Sequence, residues 1–353
     1  MRRAIAVGDA MGREIAEGPA GVEATLAIVR ASNARGLVAN AGRVVLVGTG
    51  ASLAVAEIAA PYFGERAAVR EASAVALGDL DGGRTGRGDV TVVVSNSGRS
   101  PETRAAARRL ADGGSPVVAV TTDPGSPLAD AADVVVHTPI EEETGAATKS
   151  ALSALAALLA LGGALGTDEE TAGRLRVALD STVGDPAAAD EAAVVLARSG
   201  QAWALGFGPA LGLARATSLL LHEKARRPTI FCTPSEFRHG PIEAATPADV
   251  VVLLDPGDPD AAGREGARVA YLDRLAAETA ELGVPLVRIG TAVPTSPAFD
   301  IAIPSAPAPA GRVLHALVRA QQLARATAHA RGTYSDDFLV LRRVVRAAED
   351  LLD

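Results

Sequence analysis

The sequence predicts an α/β protein of two tandem, doubly wound parallel sheets related by internal duplication. Three observations carry this expectation. Runs such as RVVLVGTG (43–50) and DVTVVVSNSG (89–98) are apolar throughout, as parallel strands covered on both faces must be. Helical stretches alternate with these runs. The order then repeats: Gly206 and Gly208 stand 158 residues after Gly48 and Gly50, and DVVVLLDPGD (249–258) stands 160 after DVTVVVSNSG.

Each element has a local reason. Met11 to Ser32 spaces its apolar residues at helical period, ahead of the strand at 43–50 and its tight glycine turn. An Ala-rich helix runs from Ser52 to Tyr62, and a weaker strand covers about 67–75. After the strand at 89–98, residues 100–114 read as a helix: Ser100 is the N-cap, Pro101 the first helical position and Gly113-Gly114 the stop. Short strands at 116–123 and 133–139 and a helix from Thr148 to Leu161 complete the first half. In the second half, AWALGFGPALGLARATSLLL (202–221) repeats the strand, Gly-x-Gly and helix, and 283–291 and 299–306 supply the later strands. Residues 311–330 and 338–352 read as helical. A boundary near 165–190 then gives an N-terminal helical segment (1–34), a first domain (35–170), a second domain (190–330) and a C-terminal tail with its helix (331–353).

Composition narrows the function classes. The 353 residues are 48 % hydrophobic and 22 % charged, enough for a large core and too apolar for disorder. The net charge is −8 and no basic stripe appears, so nucleic acid is not an expected partner. The longest apolar run, Ala151 to Ala164, is shorter than the roughly 20 residues of a membrane span, and no leader is evident, so a cytoplasmic protein without a membrane partner is expected. A single cysteine, Cys232, excludes an intrachain disulfide and a cysteine metal cluster. No metal or cofactor is expected. Of 34 basic residues only Lys149 and Lys224 are lysines, which marks both as positions where arginine does not serve.

Ligands of parallel α/β sheets bind beyond the carboxyl ends of the strands, at helix N-termini. Two first-half strand ends qualify: Gly48-Thr49-Gly50-Ala51-Ser52 and Ser95-Asn96-Ser97-Gly98-Arg99-Ser100. Their hydroxyls, amides and glycines suit a dianionic phosphate monoester without a metal. The second half has Asp255-Pro256-Gly257-Asp258 in the equivalent place, where carboxylates repel phosphate, so one anion site is expected, in the first half. A dinucleotide loop fits less well, because Leu53 stands where the third glycine of G-x-G-x-x-G belongs, although Glu71 supplies an acid downstream. A second constellation pairs Glu223 with His239, sixteen residues on. A carboxylate beside a carbonyl or imine can shuttle a carbon-bound proton, and an imidazole can open a sugar ring. His137, His315 and His329 have no reactive neighbours in sequence, and His222 stays undecided.

The strings SNSGRSPET (95–103), EETGAATK (142–149) and EFRHGP (236–241), in this order, resemble the sugar isomerase (SIS) domain family in its double-domain form. The likeness runs over about residues 35–345 and is nearest to the isomerase half of glucosamine-6-phosphate synthases and to amino-sugar-phosphate deaminases and deglycases. The resemblance implies two flavodoxin-like SIS domains. It implies phosphate binding by Ser52, Ser95, Asn96, Ser97 and Ser100, and a substrate-lining role for Gly50, Ala51, Ala146, Ala147 and Thr148. Glu223 takes the position of the proton-shuttling carboxylate and His239 that of the ring-opening histidine, which such enzymes share across a homodimer. A phosphorylated sugar or amino sugar is the implied partner. Two departures stand out: Leu220 replaces a lysine one turn before the carboxylate, and Gly332 to Leu339 replaces a lysine-bearing tail, leaving Arg342 and Arg343 as the nearest cations. No glutaminase nucleophile is present, so ammonia release, fructosamine-6-phosphate deglycation and plain aldose–ketose isomerisation stay open, as does a non-catalytic phosphosugar sensor.

Overall fold

The computed structural model describes residues 8–63, 71–76, 89–257, 265–291, 299–304, 306 and 309–338. Two compact units divide the chain. One holds residues 17–177 with 336–353, the other residues 1–16 with 178–335.

The first unit is built on β1 (Arg43–Gly48), β2 (Glu71–Ala76), β3 (Asp89–Val94), β4 (Val117–Thr121) and β5 (Val134–His137), all parallel in the order β2-β1-β3-β4-β5. This is the order of doubly wound, flavodoxin-like sheets. Around them lie α1 (Ala10–Ala31), whose first turns belong to the other unit, α2 (Ala34–Ala39), α3 (Ala51–Ala59), α4 (Pro101–Gly113), α5 (Pro127–Asp130) and α6 (Lys149–Leu161). α3 stops earlier than the sequence predicts: Pro61 cannot continue the ladder, and Ala60–Tyr62 tighten into a 3₁₀ turn. Every residue of α6 is buried, which accounts for its apolar circumference. One face of the sheet packs Val45, Val47, Val93 and Val117 against Leu110 of α4 and Leu128 of α5.

In the second unit, β6 (Ala202–Gly206), β7 (Thr229–Cys232), β8 (Val250–Asp255), β9 (Leu286–Gly290) and β10 (Phe299–Ala302) are again all parallel, in the order β7-β6-β8-β9-β10. The helices are α7 (Glu169–Val183), which begins in the first unit, α8 (Ala187–Arg198), α9 (Pro209–Glu223), α10 (Pro234–Arg238), α11 (Glu265–Glu281) and α12 (Pro309–Ala330). Five of these elements, α7, α8, β7, α10 and α11, are absent from the sequence expectation. β7 is a four-residue, half-exposed strand, α11 is rich in charge, and α7 with the start of α8 fills 165–190, where a boundary is expected. Of the helix expected at 338–352 all but residue 338, and of the strand expected at 67–75 the first residues, lie outside the described residues. The core joins Trp203, Leu205, Val251, Leu253 and Leu286 to Leu275 of α11 and Phe237 of α10. Among the described residues no helix is long and apolar enough to cross a membrane.

Candidate active site

The carboxyl edge of the first sheet ends in a pocket. Ala51, Ser52 and Val55 of α3 form one wall, Asn96 and the strand-end residues Val94, Val120, Thr121 and Thr138 the floor, and Ala147, Ser150 and Ala151 at the start of α6 the far wall. Among the described residues no carboxylate or aromatic ring lines it. Gly48 lets α3 start this close to the strand: a Cβ there would stand 2.6 Å from the Ser52 carbonyl carbon. Gly50 caps α3 at φ 58°, a conformation that favours glycine.

Ser52, Asn96, Ala51 and Ala147 of the sequence expectation are thus brought together, with Gly50 as the helix cap. Ala146 and Thr148 flank Ala147 and are fully buried. Ser95, Ser97 and Ser100 sit in the adjoining turn and shape it. Ser95 Oγ accepts from Gly98 N at 3.2 Å, Ser97 Oγ from Arg99 N at 3.3 Å, and Ser100 Oγ caps α4 by accepting from Thr103 N at 3.2 Å. Gly98 turns at φ 63°, where a Cβ would strike Ser126 Oγ at 2.2 Å. Asn96 O ties the turn to β4 by accepting from Thr121 Oγ1 and Thr122 Oγ1, both at 2.9 Å. Arg99 grips Asp123 with two nitrogens, at 2.7 and 2.5 Å, and that hydrogen bond, with one from Gly125 N, holds the Asp123 carboxyl below its ordinary pKa.

Three pocket groups escape sequence reasoning: Thr121, Thr138 and Ser150. So does Glu143, whose carboxylate accepts from Thr148 N at 2.9 Å, Thr148 Oγ1 at 3.0 Å and Ser150 N at 3.0 Å, and also from Ser150 Oγ. Lys149, 4 % exposed, pairs with Glu17 at 2.6 Å. His137 Nε2 meets the Thr122 carbonyl at 3.1 Å.

The second unit carries the acid and the imidazole. Glu223 is half-buried at the last position of α9, and Leu220, one turn earlier, is buried. His222 is now decided. Its Nε2 accepts from Thr229 N at 2.9 Å, so it fixes the start of β7 as a neutral ring, and desolvation lowers its pKa. Lys224 is 2 % exposed and donates to Ser335 O at 3.0 Å, while Thr333 Oγ1 donates to Lys224 O at 3.3 Å. The altered tail is therefore tied to the residue next to Glu223, and Tyr334 between these contacts stacks on His329 at 4.2 Å. Arg342 and Arg343 lie outside the described residues.

His239 is exposed and caps α10, a short helix fastened on both flanks. Phe237 is fully buried edge-on to Trp203 at 5.3 Å. Arg238 holds Glu278 through two contacts at 2.7 and 2.5 Å and lies 4.9 Å over the Tyr271 ring. A capping box between Thr233 and Glu236 starts the helix. At the end of β8, Asp255 is 4 % exposed and paired with Arg268 and with Arg288, the latter at 2.9 Å, while Asp258 lies outside the described residues.

Comparison with known proteins follows the same lines. The SIS domain model matches residues 37–163. A glutamine–fructose-6-phosphate aminotransferase (isomerizing) of Aeropyrum pernix is 30 % identical over 266 residues, covering 70 % of this chain and 42 % of that protein. The chain thus spans less than half the length of that curated relative. Among solved structures, tagatose-6-phosphate ketose/aldose isomerase from Escherichia coli superposes with a TM-score of 0.77 at 21 % identity, covering 95 % of this chain and 96 % of that one. The C-terminal domain of glucosamine-fructose-6-phosphate aminotransferase from Francisella tularensis gives 0.73 at 18 %, covering 93 % and 97 %. Glucosamine-6-phosphate deaminase from Thermotoga maritima gives 0.67 at 19 %, covering 92 % and 96 %. At these identities the structural likeness establishes the fold. The model match at 37–163 and the pocket that segment builds identify an SIS domain in the first unit.

Proposed function

We propose that the chain works as a homodimeric phosphosugar enzyme that deaminates an amino-sugar 6-phosphate, taking glucosamine 6-phosphate and water to fructose 6-phosphate and ammonia. The fold is the phosphosugar isomerase type of SIS fold. The observation that carries the proposal is the first unit's pocket: amide, hydroxyl and helix-terminal groups, with no carboxylate among its described lining residues. Such groups attract an anion. We also assign SIS domains to 35–170 and 190–330 and read them as duplicates, supported by the shared strand order.

In this mechanism Ser52, Asn96 and the Ser95–Ser100 turn hold the 6-phosphate, so that binding energy far from the reacting carbons aligns them. His239 opens the ring by moving a proton between ring oxygen and hydroxyl. Its exposure on a rigid helix suits delivery to a partner subunit's site. Glu223 removes the C2 proton next to the new carbonyl and returns it at C1, leaving an imine at C2. Water adds to that imine and ammonia departs.

The test is incubation of the full chain with phosphorylated amino sugars, ketose phosphates and a fructosamine 6-phosphate, followed by mass spectrometry and ammonia detection. Ammonia with a hexulose phosphate is the expected outcome. Release of an amino acid instead identifies a deglycase, and interconversion without nitrogen release a plain isomerase. A melting shift with every substrate left unaltered identifies a sensor and sinks the enzymatic assignment.

A further inference from the structure

Two helices open onto the first unit's pocket, and their N-termini differ. α3 starts on Gly50, which has no side chain, and carries no acid in its first turn. α6 starts beneath the Glu143 carboxylate, which gathers the backbone amides of Thr148 and Ser150 and both of their hydroxyls. The partial positive charge of α6 is therefore already met by an anion of the chain itself, while that of α3 faces the pocket unmet. Ser150 sharpens the contrast. It lines the pocket, yet its proton goes to Glu143, so toward a ligand its oxygen is an acceptor. An acceptor suits a sugar hydroxyl or an ammonium group and repels phosphate oxygens. Lys149 does not reverse this, because it is paired with Glu17 and does not line the pocket.

We propose that Glu143 is a specificity-determining positioning residue: by closing the N-terminus of α6 it sends the phosphate to α3 and the Ser95–Ser100 turn and turns the hydroxyl- or amine-bearing carbons toward Ser150. The inference rests on the phosphosugar assignment above and adds the direction in which the substrate lies.

Calorimetric titration with inorganic phosphate and with fructose 6-phosphate tests it on the full chain, Glu143→Gln and Ser150→Ala. The glutamine keeps the volume, removes the charge and offers an N–H toward Ser150. Inorganic phosphate is expected to bind Glu143→Gln about tenfold more tightly, or with a second equivalent, as a helix terminus loses its competing anion. Fructose 6-phosphate is expected to bind that variant more weakly. Ser150→Ala should weaken fructose 6-phosphate and leave inorganic phosphate unchanged, and it carries the test alone if Glu143→Gln does not fold. Unchanged phosphate binding in Glu143→Gln, or parallel loss of both probes in either variant, overturns the sorting role and leaves a structural cap. If the unaltered chain binds neither probe, the phosphosugar assignment falls and the sorting role with it.

Discussion

The two sheets share one strand order, yet their carboxyl edges are chemically opposite. Beyond β3 the chain reads Ser95-Asn96-Ser97-Gly98, a turn whose hydroxyls bond its own amides and whose asparagine reaches a pocket with no charged group among its described lining residues. At the end of β8 the equivalent position is Asp255, buried and clasped by Arg268 and Arg288. The first edge keeps Ser52, Asn96 and Thr121 on the pocket, while the second engages its carboxylate with two arginines. A parallel sheet thus offers a cleft wherever strand order reverses, but the residues at the strand ends decide whether the cleft recognises anything. The sequence expectation attributes the difference to repulsion by Asp255 and Asp258, the latter outside the described residues. The structure adds that Asp255 is neutralised by arginines, so its role is structural.

The largest effect that would test this division lies in the second unit's contribution to chemistry. Glu223→Gln removes the proposed proton shuttle and keeps its volume. Turnover is expected to fall by about 10²- to 10⁴-fold, with the affinity for a 6-phosphosugar held within a few fold by the first unit. Joint collapse of turnover, affinity and melting temperature would show that Glu223 holds the end of α9 instead.

Next comes the salt-bridge edge. Asp255→Ser copies the first unit's residue into the second and strands two buried guanidinium groups. Breaking a buried pair in this way costs about 3–5 kcal/mol, which for a chain this size is roughly a 10 °C fall in melting temperature. Phosphosugar affinity should hold at temperatures where the variant is folded. An unchanged melting temperature would mean that the two edges differ less than their residues imply.

How much of this was legible in the sequence follows from what each residue touches. β1, β3 and β8 were plain because strands covered on both faces must be apolar at every position. β7 was not, since a four-residue strand at a sheet edge, half-exposed, has no such run. α7 passed for a boundary because a surface helix needs only a narrow apolar stripe, and GTDEET hides its start. In the pocket, Ser52 and Asn96 were readable because Gly-x-Gly and Ser-x-Ser turns announce themselves. Glu143 was not, because it binds residues five and seven positions ahead, outside the three-residue spacing of a capping box. Single threonines at strand ends, Thr121 and Thr138, carry no signal at all until the strands are side by side.

The smallest effect concerns how the second unit buries polar groups for its own stability. His315, 1 % exposed, shares a hydrogen bond of 2.7 Å with Thr182 Oγ1, and its Nε2 meets no partner among the described residues. Arg319 one turn away donates to the carbonyls of Thr182 and Asp185, so the ring sits beside a fixed positive charge. Burial first, and Arg319 second, push its pKa from 6.5 down to about 4. The folded protein therefore prefers the neutral ring more strongly than the unfolded chain does. Its contribution is fully present above pH 6.5 and is lost as pH falls from 6.5 towards 4, reaching about 3 kcal/mol. His315→Gln keeps a hydrogen-bonding group and cannot titrate, so urea midpoints measured across that window should fall less steeply for the variant. Parallel slopes would show that His315 does not set the acid sensitivity in that window, because a carboxylate such as Asp9 acts at lower pH. Burial raises the Asp9 pKa, but Arg325 and Gly12 outweigh it and hold the carboxyl below its ordinary value, and that stability too is lost as pH falls.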